Sequence, residues 1–218
     1  MRMRKKAWAR PELAQCAYFT DEPEQFKGQW ARRFGKEKPL WLDLGCGKCV
    51  FLGELARRHP EANIIGVDIS YDILGVGRRK IEEIVENPDN VQLVFFHIED
   101  LREMLSAEDK VQRIYLNFSN PWPKKKHNKR RLTYPDFLKM YGELLTEDGE
   151  IWFKTDNDEL FEASIAYFNE AGYEIFSLTY DLHGENDPEN IESEHEIMFT
   201  AEGIRTKALK ARLKKQGA

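Results

Sequence analysis

Three stretches of the chain combine residue types and spacings that could do chemistry. In the first, Asp43-Leu44-Gly45-Cys46-Gly47-Lys48-Cys49 follows an apolar run and precedes a stretch with helical periodicity. Glycines at a strand-to-helix turn let the backbone approach a ligand closely. A further carboxylate, Asp68, stands 21 residues beyond Gly47 at the end of the next apolar run, where a pair of ribose hydroxyls would be held. A dinucleotide site would want a third glycine where Val50 stands. Doubly wound enzymes that use S-adenosylmethionine typically show an acid, then Gly-x-Gly, then often one more glycine. Here the acid is Asp43, placed to hold the amino group of a methionine moiety, and the further glycine is Cys49. Cys46 and Cys49 also form a Cys-x-x-Cys pair, but a zinc site needs about four ligands and only Cys16 and scattered histidines remain. The glycines account for this loop without redox chemistry.

The second stretch is Asn117-Phe118-Ser119-Asn120-Pro121-Trp122-Pro123-Lys124. An Asn-Pro-aromatic turn at a strand end can hold a nucleobase by a side-chain amide, a carbonyl and a stacking ring. The third follows directly: Lys124 to Arg131 carries six formal positive charges in eight residues. The prolines stiffen the chain before it, so the run can present cations to a polyanion.

The elements that must position these residues are legible from periodicity. Short apolar runs at residues 40–44, 63–67, 91–96, 113–118 and 151–153 read as strands, and residues 50–58, 70–85, 101–105, 135–145 and 158–171 read as helices. Regular alternation implies an α/β fold with a mostly parallel, doubly wound sheet and helices on both faces. Residues 173–180 and 197–200 read as two late strands without a full helix between them. They make seven strands in all, with an antiparallel hairpin at the sheet edge.

With 218 residues the chain suits one domain, with basic extensions over about residues 1–35 and 203–218. No stretch approaches the roughly 20 apolar residues of a membrane span, no apolar segment follows the charged N-terminus, and three cysteines cannot close a disulfide framework. These features point to a cytoplasmic protein. The net charge of -5 hides strong segregation: basic clusters open the chain (Arg2, Arg4, Lys5, Lys6, Arg10) and close it (Arg205, Lys207, Lys210, Arg212, Lys214, Lys215), and an acidic stretch runs from Asp181 to Glu196.

Over nearly its whole length the sequence resembles the bacterial tRNA (guanine-N7-)-methyltransferases. The resemblance rests on the opening Met-Arg-Met-Arg-Lys-Lys-Ala-Trp, on Tyr115-Leu116-Asn117-Phe118-Ser119, on Pro121-Trp122-Pro123-Lys124-Lys125, and on His127 with Lys129-Arg130-Arg131-Leu132-Thr133. Downstream it includes Phe153-Lys154-Thr155-Asp156-Asn157 and Leu160-Phe161-Glu162. It implies a Rossmann-like class I fold and transfer of a methyl from S-adenosylmethionine to N7 of the variable-loop guanosine of tRNA, nucleotide 46. The family's cofactor positions fall on Asp43, Gly45, Gly47, Asp68 and His97, with Glu99 beside the last. Asn120 stands where the family usually has an aspartate, and is a candidate for catalysis and for cofactor contact. Substrate contacts fall on Lys124, Asp156, Ser193, Glu194, His195 and Glu196, where the usual pattern is Thr-x-aromatic-Glu. Lys125, Lys126, His127, Lys129, Arg130 and Arg131 are the expected RNA contacts. No residue pattern sets a metal-ligand geometry, so no metal site is expected; the resemblance implies no obligate protein partner, and both a monomer and a homodimer fit it. Two other readings stand beside it: an exocyclic-amine RNA methyltransferase, favoured by Asn120-Pro121-Trp122, and a non-catalytic RNA-binding protein that keeps the methyltransferase fold.

Overall fold

A computed structural model describes residues 5–215, so Arg2 and Arg4 of the opening basic cluster lie outside the described residues. The chain divides into two compact units, Met1–Lys110 and Val111–Ala218.

In the first unit four strands run parallel: β1 (Phe19–Thr20), β2 (Leu40–Leu44), β3 (Asn63–Asp68) and β4 (Val91–Phe95), in the order β1-β4-β3-β2. All five residues of β2 are buried, as expected of a strand covered on both faces. The helices are α1 (Ala9–Leu13), α2 (Trp30–Phe34), α3 (Val50–Arg58), α4 (Tyr71–Ile84) and α5 (Leu101–Met104). The Ser70 hydroxyl caps α4 by accepting from the Ile73 N–H at 3.3 Å. Helix α1 crosses α4 closely: a Cβ built on Gly75 would lie 2.5 Å from that of Ala9. Glu12 of α1 pairs with both Arg78 and Arg79 of α4. Trp30 is fully buried and its indole N–H donates to the Met104 carbonyl at 2.9 Å. Residues 9–34, read from sequence as a basic extension, thus carry α1, β1 and α2.

The second unit holds β5 (Val111–Asn117), β6 (Leu145–Thr155), β7 (Tyr173–Thr179) and β8 (Lys207–Leu213), in the order β5-β6-β8-β7. β5 and β6 are parallel, and β8 runs antiparallel to both β6 and β7. The helices are α6 (Pro135–Leu144), α7 (Asp158–Glu170) and α8 (Glu194–Ala201). Two sequence expectations need correction. Residues 197–200 lie in α8, because Ser193 and Glu196 form a capping box that starts a helix there. The antiparallel partner of β7 is instead β8, in the segment read as a basic tail. Its Leu209 and Ala211 are buried while Lys210 and Arg212 alternate with them. With the two-residue β1, the described residues contain eight strands rather than seven.

Candidate active site

In the first unit the end of β2 and the loop after it form a cradle. Gly45 (φ 85), Gly47 (φ 55) and Cys49 (φ 60) all adopt left-handed backbone. The Gly45 and Cys46 N–H groups both donate to the Val67 carbonyl, at 2.9 and 3.1 Å, which pins the loop to the end of β3. Asp68 accepts from the Gly47 N–H at 3.3 Å and from the Ser70 N–H at 3.0 Å. Burial nevertheless outweighs these bonds and holds its carboxyl above the usual aspartate range. A carboxylate in that state gains from further hydroxyl donors. A Cβ built on Gly45 would meet nothing within 4 Å, so there is open space against the backbone at that point. Asp43 is buried at the end of β2.

The two cysteines of this loop pack inward. Their sulfurs lie 3.7 Å apart. A Cβ on Gly77 would fall 2.4 Å from the Cys49 sulfur, and one on Gly66 would fall 3.2 Å from the Cys46 sulfur, so each thiol occupies the hollow over a glycine. The bond from Cys49, together with burial, pushes the Cys46 thiol well up. Among the described residues no cluster of three or more His, Cys, Asp or Glu side chains could hold a metal ion. His97 and Glu99 follow β4 on the surface, with His97 Nδ1 3.9 Å from the Glu99 carboxylate. Sequence reasoning missed Ile69, which is 56% exposed beside Asp68. An apolar residue directly after the second acid was its only signal.

In the second unit the end of β5 makes an unusual turn. Phe118 (φ 49) and Trp122 (φ 43) are both left-handed without being glycine, a strain that tends to collect at functional sites. The Phe118 N–H donates to the Lys154 carbonyl at 2.9 Å, which ties the turn to β6. Both side-chain polar atoms of Asn117 and the Ser119 hydroxyl are buried with no hydrogen-bond partner among the described residues. Asn120 is exposed and its Oδ1 accepts from the Trp122 N–H at 3.1 Å, a side-chain-to-backbone turn that an aspartate could make equally well.

The basic run continues as a short 3-10 helix over Lys125–Arg130. Lys124, Lys125, Lys126, Lys129 and Arg130 are exposed, and His127 is half-buried against Trp122 with ring centroids 5.7 Å apart. Arg131 departs from the expectation of an RNA contact. It is 1% exposed and donates to the carbonyls of Pro121 (2.8 Å) and Trp122 (3.4 Å) and to the Glu159 carboxylate (2.9 Å). Its guanidinium is committed to holding the Pro-Trp-Pro turn.

Asp156 is half-buried after β6, and its carbonyl accepts from Lys207 at 2.8 Å. Ser193 caps α8, whose Glu194 and His195 are exposed. The His195 ring stacks on Phe118, with centroids 6.0 Å apart and planes 21° from parallel, and Phe199 lies near both rings. Glu196 was expected among the substrate contacts, yet it is fully buried and paired with Lys154 at 2.9 Å. Phe118 and Lys154 stand inside the motifs quoted above but were given no role of their own, and Phe199 was not singled out. For Lys154 the further hint is a lysine closing the apolar run Ile151-Trp152-Phe153.

Solved structures share this architecture. A 16S rRNA methyltransferase, KamB, aligns with a TM-score of 0.63 at 13% identity, over 86% of this chain and 93% of its own. An antibiotic-related methyltransferase aligns with a TM-score of 0.60 at 16% identity, over 88% and 94%. The fold is therefore the mostly parallel, doubly wound α/β fold of the class I methyltransferases. Residues 37–209 match a family described as putative methyltransferase. Among curated proteins, the tRNA (guanine-N(7)-)-methyltransferase of Clostridium beijerinckii is 50% identical over 96% of this chain and 97% of its own length. The enzyme of that name from Acetivibrio thermocellus is 44% identical over 98% and 100%. The chain belongs to the tRNA (guanine-N(7)-)-methyltransferase family.

Proposed function

We propose that this protein transfers a methyl group from S-adenosylmethionine to N7 of a guanosine in tRNA, nucleotide 46 of the variable loop, in the cytoplasm. The observation that carries the reading is the left-handed Phe118 turn: it leaves the polar groups of Asn117 and Ser119 unmatched in a buried setting beside the Phe118–His195 ring pair. Such groups suit a flat heterocycle with polar edges. The names of close relatives in Clostridium beijerinckii and Acetivibrio thermocellus support the same chemistry.

The first unit's residues fit the cofactor. Asp68 would accept from the ribose hydroxyls, the open space at Gly45 would admit a ligand against the backbone, Asp43 would hold the amino group, and Ile69 offers apolar surface for the adenine. The cofactor supplies an electrophilic methyl on a sulfonium. Asp68→Ala is expected to weaken S-adenosylmethionine binding by about 1.5–3 kcal/mol, the range for hydrogen bonds to a charged group. Calorimetry checks this, with tRNA affinity as the control; wild-type cofactor affinity would place the ribose elsewhere.

Guanine N7 carries an in-plane lone pair, so no residue need remove a proton from it. What the protein contributes is placement of the base, with N7 in line at roughly 3 Å from the methyl, and stabilisation of the positive charge that develops on the purine. Glu194 is exposed on α8 and could accept from both N1–H and N2–H of guanine, an edge adenine lacks; Asp156 is a second candidate. Asn120→Asp preserves the turn acceptor and adds a charge. Single-turnover methylation should then be unchanged or faster, by at most about tenfold because the side chain is exposed and screened. A large loss would show that the amide donor itself is used, as an exocyclic-amine mechanism would need.

The deciding experiment is methyl transfer to total tRNA lacking this modification. The modified nucleoside is identified by mass and by chain cleavage specific for 7-methylguanosine. Methylation without such cleavage would favour amine chemistry, and no transfer with retained tRNA binding would favour a non-catalytic RNA-binding protein.

A further inference from the structure

Helix α8 carries Glu194 and His195, yet apolar burial hardly anchors it. Ile197 and Met198 are 51% and 47% exposed, and the one buried residue of the helix is Glu196. What fixes its first turn is a polar network. Lys154, buried at the end of β6, donates to Asn190 Oδ1 at 2.6 Å, to the Ile191 carbonyl at 2.8 Å and to Glu196 Oε2 at 2.9 Å. Those three bonds match the three N–H donors of an ammonium. Glu196 Oε1 accepts from Asn190 Nδ2 at 2.8 Å and lies 3.3 Å from His183 Nε2. Its Oε2 also accepts from the Ser193 N–H at 3.4 Å, while the Ser193 hydroxyl accepts from the Glu196 N–H at 3.2 Å.

A carboxylate so engaged has little capacity left for a substrate. A buried charge pair held in a complete set of bonds fixes one geometry more than it adds stability. We propose that Lys154 and Glu196 form a positioning pair: they set the first turn of α8 so that His195 lies over Phe118 and Glu194 faces the base, and Glu196 itself does not touch the substrate. Lys154 acts from both ends, because its carbonyl also holds the Phe118 N–H. One residue thereby registers both rings of the pair. The inference rests on the methyltransferase reading above and names the residues that organise its substrate side.

The test uses the full chain with Lys154→Met, Glu196→Gln and the double variant. Lys154→Met alone strands a buried carboxylate and is open to misfolding. The double variant removes both charges at nearly constant volume and keeps the question answerable. Expected in the double variant are a near wild-type melting transition, S-adenosylmethionine affinity within about twofold, and tRNA affinity within about threefold, since the basic run still binds. The single-turnover rate should fall about 10²-fold, as for misplaced reacting groups. In parallel, the His195 ring proton signal, assigned by its loss in His195→Asn, should move away from its Phe118-shifted position. A double variant with wild-type rate and an unmoved His195 signal overturns the proposal. So does Glu196→Gln losing the rate while His195 stays in place, because Glu196 would then act on substrate directly. If the wild type itself does not methylate tRNA, the functional reading fails, while the His195 signal still reports on the positioning.

Discussion

Gly77→Ala is expected to weaken S-adenosylmethionine binding by about tenfold to 10²-fold, or 1.4 kcal/mol per decade, although alanine inside a helix normally gains about 1 kcal/mol over glycine. The new methyl would start 2.4 Å from the Cys49 sulfur, 3.1 Å from its Cβ and 3.3 Å from the Gly47 carbonyl. Cys49 is 1% exposed and left-handed, so it has nowhere to swing. The strain passes to Gly47, whose N–H holds Asp68. Overpacking of this kind typically costs about 1–3 kcal/mol. Cys49→Gly in the same chain should restore most of the affinity, since it removes the clashing atoms and relaxes the positive φ. Calorimetric titration of the single and double variants checks this. Wild-type affinity in Gly77→Ala would separate the loop from cofactor binding.

A comparably large effect is expected on the RNA side. Replacing Lys125, Lys126, Lys129 and Arg130 together with alanine should lower the slope of log affinity against log salt by about 0.7–0.9 for each lost phosphate contact. With most of the four engaged, tRNA binding near physiological salt falls by about 10²-fold or more. Cofactor affinity should be unaffected. Arg131→Ala should behave differently: its salt slope stays near wild type, while the rate falls as the Pro-Trp-Pro turn loses the guanidinium bonded to Pro121 and Trp122. Filter binding across a salt series, with single-turnover assays alongside, distinguishes the two classes. An unchanged slope in the quadruple variant would remove the run from the interface.

Charge type was legible in the sequence, but charge availability was not. From sequence alone the closing basic cluster could be a partner contact or an ordinary solvated face. In the fold Lys207 pairs with Asp158, Lys210 with Asp187 and Glu189, Arg212 with Glu174, Arg205 with Asp181 and Lys215 with Asp148. Part of the acidic stretch that seemed a separate feature is the counterpart of that cluster. β2, β3 and β4 were readable because parallel strands covered on both faces appear as unbroken apolar runs, whereas the two-residue β1 is too short to show one. β8 was missed because its apolar positions alternate with lysine and arginine whose stems lie along the sheet. The short apolar run at 197–199 could be strand or helix until the capping residues Ser193 and Glu196 are weighed. Cys49 shows the same limit at the site. The pattern marks Cys49 as standing where a further glycine is usual, but only its φ of 60 shows that the backbone there is left-handed.

The left-handed Phe118 and Trp122 set the protein's adaptive options as well as its geometry. Glycine at either position would relax the backbone, so a selection for heat resistance alone would be drawn to these two sites. Each such gain would delete a ring, the one stacked on His195 or the one beneath Arg130. If those rings hold the base as proposed, relaxing the backbone at these two positions trades against activity. Gains in thermal tolerance would then have to come from elsewhere, such as helix caps, surface charge and the packing of α1 on α4.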